Sequence, residues 1–211
     1  MRPYSVTYTP AALSATGLAS AVATVFAVVN TYALTATSAA DSLAHIITFA
    51  GKAATDYSGR TVTVTGTNEN GAAKTEVIAA GPNGAASVST TGYFLTVTSV
   101  SMSGATSGAD TFDIGWTGVS VAPWYVLDYA STANADIAIG VTGTINYTVQ
   151  QTFANVLAGV AAAWTSIAAL ASKTALTADQ AAAGATAFRV LVNSLTTTAT
   201  FTIYTVQPVR R

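Results

Sequence analysis

The feature that most constrains this chain is strict alternation of β-branched residues. The stretch Arg60-Thr61-Val62-Thr63-Val64-Thr65-Gly66 places Val62 and Val64 on one face and threonines on the other, the period of a half-buried strand. Asn70-Gly71 follows and predicts a tight hairpin turn, because both residue types tolerate positive φ. The chain then returns through Lys74-Thr75-Glu76-Val77-Ile78-Ala79 to a second turn at Pro82-Asn83-Gly84. Further strands are predicted over residues 93–100, 111–116, 136–141, 144–150, 187–192 and 200–206. Short strands at regular spacing imply an all-β fold, read as two small antiparallel β-sandwich or barrel domains in tandem.

Pro123-Trp124 marks the expected boundary. Residues 1–40 read as an N-terminal segment, either an arm or part of the first domain. Residues 41–122 form the first β domain and 123–211 the second. Residues 156–185 are rich in Ala, a helix former, and Leu176-Thr177-Ala178-Asp179-Gln180 could open one short helical turn. At most short helices are expected. Tyr93, Phe94, Phe112 and Trp116 are assigned to the first core. Tyr147, Phe153, Phe188, Phe201 and Tyr204 are assigned to the second.

Charge is scarce: 8% of the 211 residues against about 25% in an ordinary soluble domain. The formal net charge of -1 gives no electrostatic reason to bind nucleic acid. Two uncharged stretches, 3–40 and 154–172, imitate membrane segments. Polar residues interrupt the first, and the second is mostly Ala and Gly, which insert weakly, so no membrane partner is expected. Solubility normally comes from mixed surface charge. A surface this poor in it is expected to be covered by protein, in a homo-oligomer or a larger assembly.

Chemistry is sparsely provided for. There is no cysteine, so thiolate sites and disulfides are excluded, and His45 is the single histidine. His45 follows Asp41 by four residues, with Ser42 beside it, but a catalytic triad needs a nucleophile and base held together in defined roles. A satisfied polar contact is the simpler reading. Asp110 and Asp113 could supply an acid pair, yet would point to opposite faces of a regular strand. No acidic loop has calcium-site spacing, and the Gly-rich run over 103–108 lacks the lysine of a phosphate loop. Asn146-Tyr147-Thr148 is a glycosylation sequon in mid-strand. No catalytic residue, cofactor or metal site is expected, and the chain reads as a non-enzyme.

The remaining signals suit interfaces. Trp124, Tyr125 and Tyr129 cluster at the proposed boundary, where aromatics either pack the domains together or anchor a partner. Trp164 and the terminal pair Arg210-Arg211 are further interface candidates.

Several motifs resemble those of a family of tailed-bacteriophage virion proteins. In the first half these are Thr65-Gly66-Thr67-Asn68, Gly71, Glu76, Gly81-Pro82-Asn83-Gly84 and Phe94, Val97 and Ser99. In the second half they are Thr142-Gly143-Thr144-Ile145-Asn146-Tyr147-Thr148-Val149, Thr152-Phe153, Trp164, Arg189 and Val206-Gln207. The resemblance spans about residues 41–207. It departs where Ala154-Asn155 stand in place of acidic residues and where the Ala-rich insert replaces a polar loop. It implies a structural virion component assembled in the host cytoplasm, either a capsid decoration (cement) or minor capsid protein. Its partners would be the major capsid protein or neck and tail proteins. A tail or neck subunit (tube, collar or adaptor) and a receptor- or glycan-binding β module are the alternatives.

Overall fold

The computed structural model describes residues 4–23, 29–104, 110–127, 134–158, 162–196 and 198–206. The protein is all-β and built of antiparallel sheets. It forms two compact units. The first comprises Ala11–Ser120; the second comprises Met1–Pro10 together with Val121–Arg211. The divisions therefore fall after residues 10 and 120 rather than at 40 and 122.

The expected N-terminal segment is not one piece. β1 (Tyr4–Tyr8) pairs along its whole length with β16 (Thr200–Val206) of the second unit. The next strand, β2 (Ser14–Ala23), pairs with β9 (Thr111–Val121) in the first unit. A third, β3 (Val29–Thr31), pairs with β8 (Thr96–Ser103). Each of these strands is paired within its own chain. Nothing in local alternation signals such pairings, because the partners lie far along the sequence.

The first unit has two sheets. In one, β9, β4 (Ala44–Gly51) and β7 (Ser87–Phe94) are neighbours, with β2 added to β9. The other has the order β3-β8-β5-β6, with β5 at Val62–Thr67 and β6 at Ala73–Ile78. Val62, Val64, Val97, Val100 and Met102 from the second sheet meet Ile47, Phe49, Phe94, Phe112 and Ile114 from the first in one buried core. Phe49 and Phe112 stack at 4.7 Å. Of the expected core aromatics, Phe94 and Phe112 are buried, Trp116 packs against the cluster, and Tyr93 is only half-buried.

Two local predictions need correction. The run 93–100 is not one strand: β7 ends at Phe94 and β8 starts at Thr96. The chain bends at Leu95, whose N–H donates to the Thr67 carbonyl at 2.9 Å, and the strand passes from one sheet to the other, as sandwich corners do. The β5–β6 connection is also longer than a two-residue turn, since Thr67 pairs with Ala73. Gly71 has the positive φ (81°). Asn68 organises the loop, its Oδ1 accepting from the N–H groups of Asn70 and Ala72 at 3.1 and 2.9 Å.

In the second unit β1, β16, β11 (Ala135–Thr142) and β14 (Thr177–Ala181) form one sheet in that order. β12 (Ile145–Thr152) lies between β13 (Thr165–Ser166) and β15 (Ala187–Leu195), and β10 (Tyr125–Val126) also pairs with β15. Ile137, Ile139, Phe201 and Ile203 from the first group, and Tyr147, Val149, Phe188 and Val190 from the second, are all buried. Phe153 and Tyr204 are not, at 56% and 47% exposure. Tyr204 follows inward-facing Ile203 and so must face outward. The predicted helical turn over 176–180 is instead β14, whose Ala178 and Gln180 pair with Ala138 and Asp136. Strand pairing overrides the helix preference of Ala there. Among the described residues, the remaining helical structure is single 3-10 turns at Val156–Ala158 and Ala168–Leu170.

Tyr32 packs its ring against Phe49 and Phe112 at 5.2 and 5.5 Å, while its hydroxyl is buried without a partner. An unpaired buried hydroxyl carries a desolvation penalty. Tyr32→Phe is therefore expected to stabilise the first unit by about 1 kcal/mol, read as a higher urea midpoint at unchanged m-value.

Candidate functional site

The outer face of the β3-β8-β5-β6 sheet is the most distinctive surface of the first unit. On it Thr63 lies between Ser101 and Val77, and Thr65 between Ser99 and Thr75. Thr31 extends the row beside Ser101, and Val29 stands beside Ser103. None of these positions is charged.

Several of its hydroxyls are engaged with one another or with the backbone. Thr75 Oγ1 donates to Thr65 Oγ1 at 3.3 Å, and Thr61 Oγ1 to Ser103 Oγ at 3.1 Å. Thr98 Oγ1 donates to the Thr65 carbonyl at 3.2 Å, and the Thr67 and Thr96 hydroxyls are 2.7 Å apart. A hydroxyl already hydrogen-bonded costs less to remove from water than a free one. Gly66 permits this tight pairing: a Cβ there would come within 1.9 Å of the Thr96 carbonyl oxygen.

The two charges of β6 are turned off this face. Lys74 and Glu76 alternate with Ala73, Thr75 and Val77 and reach over the end of β7. Glu76 accepts from the N–H groups of Thr91 and Gly92, and Lys74 Nζ donates to the Tyr93 carbonyl at 3.1 Å. The ammonium also sits 4.6 Å from the Phe94 ring centroid. Inward-turned charges on an edge strand oppose uncontrolled edge pairing and leave the outward face uncharged.

His45 and Asp41 make the other concentrated polar contact of this unit. His45 is 2% exposed; its Nε2 lies 2.8 Å from Asp41 Oδ2 and its Nδ1 3.2 Å from the Thr117 carbonyl. Asp41 also accepts from the N–H of Ala11 at 2.7 Å and of Leu43 at 3.0 Å. It thereby ties the start of the unit to β4. Ala40 and Ser42 flank it at φ of 60° and 63°, a left-handed conformation that costs about 1–2 kcal/mol per residue. Burial pushes the Asp41 carboxyl up. The hydrogen bond and charge of His45, with the two N–H donors, outweigh this and hold it below the ordinary 3.8.

Asp110 and Asp113 are engaged separately. Asp110 accepts from the Tyr57 hydroxyl, while Asp113 pairs with Lys52 at 3.2 Å and accepts from the Ala21 N–H. Among the described residues, no group of three or more His, Asp or Glu is placed to hold a metal ion. In the second unit, the sequon residue Asn146 accepts at Oδ1 from Asn193 Nδ2 at 2.6 Å.

The predicted interface residues do not form one patch. Tyr125 stacks on Phe188 at 5.2 Å, lies 5.5 Å from Tyr4, and shares a 2.7 Å hydroxyl contact with Tyr8. Burial raises the Tyr125 and Tyr8 hydroxyls above their ordinary range. This cluster fastens β1 to the second unit. Trp164 instead lies under the guanidinium of Arg189, 4.4 Å from its ring centroid, and Arg189 Nε donates to Gln150 at 2.9 Å. Phe188 and Arg189 are successive residues of β15 and point to opposite faces, so Tyr125 and Trp164 are on opposite sides of that sheet. Trp124 is half-buried. Tyr129, Arg210 and Arg211 lie outside the described residues. The alternation of Thr61, Thr63 and Thr65 is the sequence signal of the hydroxyl face, while its flanking residues on β8 and β6 come from strand pairing.

Compared with protein-family models, with curated proteins and with solved structures, the chain matches none.

The Asp41 contact has a defined pH signature. A carboxyl held below its unfolded pKa contributes stability above that value and loses it as pH falls through the folded pKa. The first unit should therefore lose stability as pH drops below about 4. Asp41→Asn should lack that component and cost about 1–3 kcal/mol at neutral pH, the range for a hydrogen bond to a charged group. Urea titrations of both proteins between pH 2 and 7 check this.

Proposed function

We propose that this chain is a structural subunit of a tailed-phage virion, of the capsid-decoration or minor-capsid kind. It stabilises the assembled particle through subunit–subunit contacts and performs no chemistry. The observation that carries the contact reading is the uncharged outer face of β3-β8-β5-β6, on which several hydroxyls are already paired within the chain. Such a face can be buried against a neighbour without stranding a charge. The virion assignment rests on the resemblance of the Thr65-Gly66-Thr67 and Thr142-Gly143-Thr144 motifs and their surroundings.

Mechanistically the role is static. A subunit that binds only the closed shell stabilises it by mass action, and the shell gains resistance to internal pressure without any conformational step. Exposed Leu13 and Val77, at 68% and 56%, add apolar area to the surface of the first unit. Single exposed apolar residues are ordinary on a monomer; the absence of outward charge across four paired strands is what favours a contact face.

Thr65→Lys tests this reading. It places one ammonium at the centre of the outward face, where a surface change costs the free fold within about 0.5 kcal/mol. The variant should fold and keep its Tm, yet enter particles at least tenfold less well. Particles lacking the chain should release their genome at a lower temperature. Normal incorporation of Thr65→Lys, or unchanged heat resistance of particles without the chain, would count against the proposal. High copy number in purified particles goes with decoration; a ring stoichiometry moves the same subunit to the neck or tail.

A further inference from the structure

The second unit carries a cleft with a different chemistry, on the outer face of the β1-β16-β11-β14 sheet. We infer that the cleft between Tyr204, Ala138 and the Asp136–Gln180 pair binds a neutral sugar ring, stacked on Tyr204 and held by its hydroxyls. The inference goes beyond the virion reading and is independent of it, since it concerns another surface of the other unit.

Tyr204 pairs with Ala138 across β16 and β11, and its ring leans over the adjacent Gly140. A Cβ at Gly140 would stand 3.2 Å from the ring edge and 4.0 Å from Leu176. The absence of a side chain at Gly140 thus makes room for the edge of the ring, and Tyr204 stays 47% and Leu176 70% exposed. The cleft beside it has a volume of about 280 Å³ and a floor of Ala138 and Ala178. That is the low end of small-molecule sites, which run from about 300 Å³ upward, so one ring fits and a large ligand does not.

The polar rim decides the class of ligand. Gln180 Nε2 donates to Asp136 Oδ1 at 2.7 Å, and Asn134 Nδ2 donates to Gln180 Oε1 at 2.9 Å. This chain of planar groups is fixed by its own hydrogen bonds and still has capacity to spare, since a carboxylate accepts at both oxygens and each amide carries two N–H donors. Hydroxyls, which both donate and accept, match such a mixed rim. Among the described residues, Asp136 and Asp179 line the cleft and no cation does, which disfavours an anionic ligand. An ammonium would use only the acceptors and leave the amide donors and the apolar floor unmatched. A sugar ring satisfies all three elements: its C–H face on Tyr204, its edge over the alanines, and its hydroxyls on the rim.

The test uses the full chain with methyl glycosides of glucose, galactose, mannose and N-acetylglucosamine, read by saturation-transfer NMR, with propylammonium as a cationic control. At least one glycoside should bind saturably. Tyr204→Phe should retain binding, because stacking needs the ring and not the hydroxyl. Tyr204→Ala, Gln180→Ala and Ala138→Leu, which fills the floor, should each weaken it at least tenfold. All three residues are on an outward face, and unchanged circular dichroism and Tm confirm that each variant is folded. Absence of saturable binding to every glycoside overturns the inference. So does binding unaffected by Tyr204→Ala and Ala138→Leu, or saturable binding of propylammonium alone.

Discussion

The register of β5 against β6 and β8 is the constraint on which the first unit depends. With Val62 opposite Ile78 and Met102, and Val64 opposite Val100, the valines enter the core and the threonines face out. A slip of one residue would exchange the two sets, burying hydroxyls and exposing the apolar residues that meet Phe49 and Phe112. Two features hold the register. The irregularity at Thr65/Gly66 lets β8 follow the bend at Leu95, and the Asn68-organised loop sets the return of β6.

With 8% of residues charged, the placement of each charge matters more than usual. Lys74 and Glu76 close over the end of β7, and Asp41 and His45 pin the start of the unit to β4. Lys52 pairs with Asp113. In these cases ionic groups do positional jobs inside one chain, and hydroxyls face water. Such a face is wetted without being repelled by a similar neighbour. The same economy accounts for the second unit, where β1 is held by the Tyr4–Tyr125–Tyr8 cluster rather than by ion pairs.

Much of this architecture was legible from period-two patterning, and the failures have physical causes. β5, β11, β15 and β16 alternate clearly because one face of each is buried and the other is less so, and β6 alternates between exposed and half-buried positions. β4 is harder to read because the adjacent apolar residues Ile46 and Ile47 break the polar/apolar alternation in sequence, although burial itself alternates between buried His45, Ile47 and Phe49 and half-buried Ile46 and Thr48. β14 was hidden by alanine, whose local preference says nothing about the partner strand. The placing of Tyr204 in the core ignored the pattern itself, since Phe201 and Ile203 had already claimed the inward positions. Of the interface residues, aromatic identity located Tyr125 and Trp164 but not their roles: one fastens β1 and the other stacks on Arg189. The hydroxyl face was visible as alternation yet not as a site, because nothing in the sequence says that Ser99, Ser101 and Thr75 flank the threonines of β5.

The central claim is that this hydroxyl face is covered when the protein assembles. Because the chain has no cysteine, a single Thr65→Cys substitution gives one thiol at the middle of the face. Its labelling rate by a small maleimide, measured on the free chain and on purified particles, is the most direct test. The account predicts rapid labelling in the free chain and protection of at least tenfold in the particle. Equal labelling in both states would contradict it.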